Sequence, residues 1–121
     1  MKISDLYKIF NNHPNVTTDT RNIKENSIFF ALKGDNFNGN KFARKAIKDG
    51  CHYAIIDQSE FQLNEKYILV DDVLKCLQNL ATYHRDQIMI PVIGITGTNG
   101  KTTSKELIYS CLSTELNTLA T

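Results

Sequence analysis

Apolar positions recur along the chain with two different periods, and their alternation predicts strands interleaved with helices. Ile3, Leu6, Tyr7 and Phe10 fall at i, i+3, i+4 and i+7, an amphipathic helix with Ser4 or Asp5 near its start. The polar run Asn11-Asn12-His13-Pro14-Asn15 breaks it. Residues 16–21 are β-branched and alternating, a strand or an extended arm, and residues 27–32 (Ser-Ile-Phe-Phe-Ala-Leu) are a strand of the buried type. A polar turn containing two glycines follows at 33–40. Residues 41–49 read as a helix with Phe42, Ala43, Ala46 and Ile47 on one face and Gly50 as its stop. Two more buried-type strands, 52–57 and 66–71, precede a helix that runs from an Asp72 N-cap to about Asp86, with Val73, Leu77, Leu80, Ala81 and His84 along one side. Pro91 opens a further strand at 91–96, and a last helix carries Leu107, Ile108, Cys111 and Leu112. Strands alternating with helices predict an α/β fold.

The chain divides unevenly. Residues 1–88 have enough strands and helices for a small α/β domain, with the boundary in the segment 85–91. Residues 89–121 supply one βα unit, which cannot bury its own faces. The expectation is one whole domain followed by the truncated opening of a second.

Composition narrows the function classes. With 121 residues, 41% of them hydrophobic, one compact core is feasible. Fourteen Lys and Arg against thirteen Asp and Glu leave a charge of +1 and no basic stripe, which argues against a nucleic-acid partner. The apolar runs fall short of the ~20 residues that span a membrane, and the N-terminus has no signal-peptide core. A cytoplasmic location and no membrane partner are expected. Cys51, Cys76 and Cys111 are odd in number and widely spaced, so they read as reduced, largely buried thiols; His13, His52 and His84 are scattered, and no metal cluster is indicated.

The chemistry lies in Gly94-Ile95-Thr96-Gly97-Thr98-Asn99-Gly100-Lys101-Thr102-Thr103. A glycine-rich turn between strand and helix lets backbone N–H groups wrap phosphates, with the helix N-terminus adding partial positive charge. Lys101 would reach the β- and γ-phosphates of ATP, and the Thr102 hydroxyl would ligate Mg²⁺. The strict pattern puts a glycine five residues before Gly100, where this chain has Ile95, with glycines at 94 and 97 instead. Asp71 and Asp72 form a carboxylate pair at a strand-to-helix junction, better read as an N-cap than as a metal site.

Gly97-Thr98-Asn99-Gly100-Lys101-Thr102-Thr103 resembles the ATP loop of the Mur ligases, the enzymes that build the peptide stem of bacterial cell-wall precursors. Folylpolyglutamate and cyanophycin synthetases have a related loop. Thr18-Asp19-Thr20-Arg21, residues 28–34 (Ile-Phe-Phe-Ala-Leu-Lys-Gly), Asn38-Gly39-Asn40-Lys41-Phe42 and the segment 46–50 resemble the uridine-binding domain shared by the MurE and MurF branches. Thr103-Ser104-Lys105-Glu106-Leu107 and Leu80-Ala81-Thr82-Tyr83-His84-Arg85 are similar to the MurF branch. One departure is Asn38-Gly39-Asn40, where many relatives have Asp-Gly-His.

The resemblance implies an ATP- and Mg²⁺-dependent ligase that joins D-alanyl-D-alanine to UDP-N-acetylmuramoyl-tripeptide through an acyl phosphate, monomeric at full length. Lys101 would neutralise phosphate charge and Thr102 would hold Mg²⁺; Thr103 either bonds the phosphates or caps the helix. Thr18 and Thr20 would read the uracil edge with Asp35, Asn36 and Phe37, Phe37 stacking on the base. Arg21 pairs with phosphate or, locally, with Asp19. The remaining catalytic groups would lie beyond Thr121, so this chain alone is expected to be inactive. Alternatives are a MurE-type ligase adding the third amino acid, a non-catalytic UDP-sugar binding module, and a small phosphate-loop regulator unrelated to uridine.

Overall fold

A computed structural model describes residues 1–121, which divide into two compact units, Met1–Ile88 and Met89–Thr121.

The first unit is built on a four-stranded, all-parallel sheet in the order β1 (Val16–Thr17), β2 (Ile28–Phe30), β5 (Tyr53–Ile56), β6 (Tyr67–Leu69). Register pairs Val16 with Ile28, Phe29 with Ala54, and Ile55 with Ile68. Side chains alternate across the pleat, so neighbouring residues serve opposite faces. Ile28, Phe30, Ile55 and Ile68 pack with Leu6 of helix α1 (Ile3–Asn12) and with Val73 and Leu80 of helix α3 (Val73–Gln87). Phe29, Ala31, Ala54, Ile56 and Tyr67 face Ala43 and Ala46 of helix α2 (Ala43–Lys48). Helices cover both faces, which explains why the strands are apolar runs and not alternating ones. Each fully buried Phe or Ile here contributes about 1.5–3 kcal/mol.

An aromatic seam joins α1 to α3. Tyr7 lies 5.0 Å from the Tyr83 ring and its hydroxyl is 3.2 Å from His84 Nδ1, while Phe10 meets His84 edge-on at 5.1 Å.

Several elements differ from the sequence expectation. Helix α1 starts from Lys2 with no side-chain cap and continues through Asn11 and Asn12. Pro14 is the cause of its end, because it bars the preceding His13 from helical geometry. The arm at 16–21 pairs over two residues and then bends. The polar turn at 33–40 is a two-stranded hairpin, β3 (Lys33–Gly34) against β4 (Phe37–Asn38), running into a 3₁₀ turn at Gly39–Phe42 that takes the first turn of the expected helix.

The second unit contains helix α4 (Lys101–Leu112) and no strand. Residues 91–97 therefore correct the expected strand: a parallel strand needs a neighbour to bond, and this unit has none. Only Cys51 is buried; Cys76 is half-buried and Cys111 exposed, so the largely buried set of thiols is also corrected. No helix is long and apolar enough to cross a membrane.

Candidate functional site

Two constellations carry the candidate chemistry, one in each unit. In the second unit, Gly97 and Gly100 have φ of 151° and 75°, values that L side chains rarely adopt. Gly100 is the N-cap of α4, makes no side-chain cap bond, and accepts the Ser104 N–H at 2.9 Å. That leaves the N–H groups of Lys101, Thr102 and Thr103 without intrahelical acceptors and puts the positive end of the helix dipole at the turn. No acidic residue opposes it in the first turn. Lys101 and Thr102 are exposed. The donor set fits a phosphate group and a Mg²⁺-ligating hydroxyl. Thr103 lies inside the helix, so the capping alternative is not its role here.

In the first unit the candidate residues gather at the carboxyl ends of β1 and β2, the edge where open α/β sheets hold ligands. Beyond β1 the Thr17 hydroxyl donates to the Asp19 carbonyl at 2.9 Å and accepts the Asp19 N–H at 3.1 Å, closing a tight turn. Thr18 is exposed on that turn and Thr20 is half-buried, its carbonyl accepting from Lys45 Nζ at 3.3 Å. Arg21 pairs with Asp19, donating from Nε at 3.0 and 2.9 Å and from Nη2 at 2.6 Å. Those side-chain bonds and the Arg21 N–H hold the Asp19 carboxyl at a pKa of about 2. The local pairing of Arg21 is thus the one formed in the structure.

Beyond β2, Asp35 and Asn36 form the exposed tip of the hairpin. Phe37 is 50% exposed and lies nearly parallel to Phe42, with centroids 5.2 Å apart and an interplanar angle of 16°. One face of its ring therefore has an aromatic partner within the protein. Gly39 is the position where the chain returns against β2. A Cβ there would stand 2.5 Å from the Leu32 carbonyl oxygen, to which the Gly39 N–H donates at 2.8 Å. No residue but glycine fits.

A polar cluster missed by sequence reading ties this hairpin to β5. Asn40 is fully buried, donates from Nδ2 to Asp57 Oδ1 at 2.9 Å, and accepts the Asp57 N–H at 3.0 Å. Lys33 Nζ lies 3.0 Å from Asp57 Oδ2, whose side chain is 4% exposed. Burial alone would raise the Asp57 pKa; the bonds from Lys33 and Asn40, the Lys33 charge and the Val73 N–H outweigh it and hold the carboxyl low. The signal available in the sequence was an aspartate ending an apolar strand, without any indication of its partners.

Asp72 accepts the Lys75 N–H at 2.8 Å and N-caps α3, as expected. Near it a cavity of about 630 Å³ opens between α1, β6 and α3, lined by Leu69, Asp71, Asp72, Lys75 and Cys76 among others. It is remote in sequence from the threonines and hairpin, and the Asp72 carboxylate on its wall is engaged by the Lys75 N–H. No group of three or more His, Cys, Asp or Glu side chains is placed to hold a metal ion.

Residues 14–85, lying wholly within the first unit, match the family described as "Mur ligase family, catalytic domain". The chain belongs to the Mur ligase family.

Within that family, this Mur ligase chain is 40% identical over 102 residues to the UDP-N-acetylmuramoyl-tripeptide–D-alanyl-D-alanine ligase of Bacillus subtilis, covering 83% of the chain and 22% of the relative. It is 41% identical over 93 residues to the UDP-N-acetylmuramoyl-L-alanyl-D-glutamate–2,6-diaminopimelate ligase of Fusobacterium nucleatum, covering 74% and 19%. Its structure is similar to that of the MurF ligase of Thermotoga maritima in complex with ADP, with a TM-score of 0.70 and 28% identity over 84% of this chain and 23% of that one. The chain thus spans about a fifth of the length of these relatives.

Proposed function

We propose that this chain is the uridine-binding unit and the opening phosphate-loop segment of an ATP-dependent, MurF-type ligase working in the cytoplasm. The observation that carries the reading is the turn Gly97–Gly100, whose two positive-φ glycines open α4 directly onto Lys101 and Thr102, in a chain of the Mur ligase family. In this reading Met1–Ile88 holds the UDP end of UDP-N-acetylmuramoyl-tripeptide, and Met89–Thr121 begins the ATP-binding domain.

Free amides at the start of α4 hold the triphosphate, and Lys101 neutralises charge that builds on the β- and γ-phosphates. Thr102 would hold Mg²⁺, which supplies further neutralisation of phosphate charge when bound. The substrate carboxylate attacks the γ-phosphorus as the bond to ADP breaks, giving an acyl phosphate. The amine of D-alanyl-D-alanine then attacks the acyl carbon, inorganic phosphate departs and the amine loses a proton. Thr18, Thr20, Asp35, Asn36 and Phe37 contact the uridine, and Arg21, paired with Asp19 but with its side chain 88% exposed, is the candidate ligand for the diphosphate.

A MurE-type ligase is the second reading, favoured by the similarity to the Fusobacterium enzyme. The test is a coupled assay on the full-length protein with ATP and each acceptor. ADP release that depends on UDP-N-acetylmuramoyl-tripeptide and D-alanyl-D-alanine supports the first reading. Release only with the muramoyl-dipeptide and a third-position amino acid replaces it by the second, and no release with either acceptor contradicts both.

A further inference from the structure

The hairpin that carries Asp35, Asn36 and Phe37 is anchored twice at its base, and both anchors lead to the end of β5. Lys33 and Asn38 are the paired residues at that base. Lys33 reaches Asp57, and Asn38 Nδ2 donates to Gln58 Oε1 at 2.7 Å. Asn40 links the two, since its Nδ2 donates to Asn38 Oδ1 as well as to Asp57 Oδ1, each at 2.9 Å. Only two residues separate the strands of the hairpin, so fixing the base fixes the tip.

Resting on the uridine reading above, we infer that Asp57 is a positioning residue for nucleotide binding, acting through Lys33 and Asn40 to hold the β3–β4 hairpin in its ligand-receiving pose. At 4% exposure its carboxylate is not placed to touch a ligand itself. Its position at the carboxyl end of a central strand makes it a rigid post, because β5 is hydrogen-bonded on both sides. Asn40, buried and bonded at both ends of its amide, transmits that rigidity to the returning strand. Lys33, half exposed, supplies the second strut.

A direct role for Lys33 makes the opposite prediction. If the ammonium itself contacted phosphate, neutralising its partner by Asp57→Asn would free it, and UDP would bind equally well or better. A positioning role predicts weaker binding with the Lys33 charge still present.

The experiment is a UDP titration of the 121-residue chain, followed by backbone amide shifts, for wild type, Asp57→Asn, Lys33→Met and Lys33→Arg. Thermal melts and the amide dispersion of β2 and β5 report that each variant is folded. Loss of one charge-assisted buried bond corresponds to about tenfold or more in affinity. Asp57→Asn and Lys33→Met should each weaken UDP by that factor, with faster amide exchange at Gly39, while Lys33→Arg stays near wild type. A purely stabilising role would lower melting temperatures and leave UDP affinity in the folded variants unchanged; that result overturns the inference and leaves the uridine reading standing. If wild type gives no UDP response at residues 18–21 and 34–37, the uridine reading falls and this inference with it. Should Asp57→Asn fail to fold, Lys33→Met, whose side chain is half exposed, decides through Gly39: weaker UDP with faster Gly39 amide exchange supports positioning, and weaker UDP with that exchange unchanged means a direct contact by Lys33 and overturns the inference.

Discussion

Asp19 and Arg21 stand two residues apart on the turn after β1 and are both solvent-accessible, with side chains 46% and 88% exposed. Their fork-shaped pairing makes Asp19 a turn-builder whose charge is held by its neighbour. In wild type the Asp19 carboxyl should titrate near pH 2. In Arg21→Ala it should move up toward the ordinary carboxylate value near 3.9. Side-chain carboxyl chemical shifts followed against pH measure both, and an Asp19 titration unmoved by Arg21→Ala would contradict the pairing. This pair was foreseeable, since both partners lie in one short turn. The Asp57 cluster was not: Asn40 is 17 residues from Asp57, with helix α2 between them. A contact across a crossover leaves no periodic trace in sequence. Phe37 falls between the two cases, because its place in a polar turn was readable while its stacking on Phe42 depends on the 3₁₀ turn that brings position 42 beside it.

At the scale of elements, the sheet was legible because both of its faces are buried, so its strands read as apolar runs at 28–30, 53–56 and 67–69. The hairpin at 33–38 was hidden because a two-residue ladder is too short to show alternation, and its polar residues read as a loop. The expected strand at 91–96 failed for a different reason. Its residues are apolar and β-branched, but propensity without a neighbouring strand gives no ladder. Close backbone approach controls the hairpin most directly at Gly39. Gly39→Ala forces a carbon to within 2.5 Å of the Leu32 oxygen, so the strand must move or the bond from Gly39 N–H must break. The expected cost is about 1–3 kcal/mol, measured by denaturant unfolding. Unchanged stability would mean that the return of the chain against β2 is not as tight as the structure has it.

At the scale of the molecule, the first unit has two hydrophobic clusters on opposite faces of its sheet, which is the makings of an independent fold. The second has one helix and a run of exposed apolar side chains, among them Ile90, Val92, Ile93 and Leu107. Exposed apolar surface of this kind marks a contact face. The candidate phosphate loop was legible because its pattern is local in sequence, seven consecutive residues from 97 to 103. The residues proposed to contact uridine were suggested only through resemblance, since threonines and a polar turn have no signature of their own.

The central claim is that one chain joins a uridine-binding unit to an ATP loop. The most direct measurement is an amide-shift titration of the 121-residue chain with UDP and then, separately, with Mg·ATP, in wild type and Lys101→Ala. The account predicts saturable UDP shifts at residues 18–21 and 34–37 in both proteins, and Mg·ATP shifts at 97–103 that Lys101→Ala weakens. UDP shifts absent from those segments, with Mg·ATP shifts alone at 97–103, would contradict it and leave a phosphate loop without a uridine site.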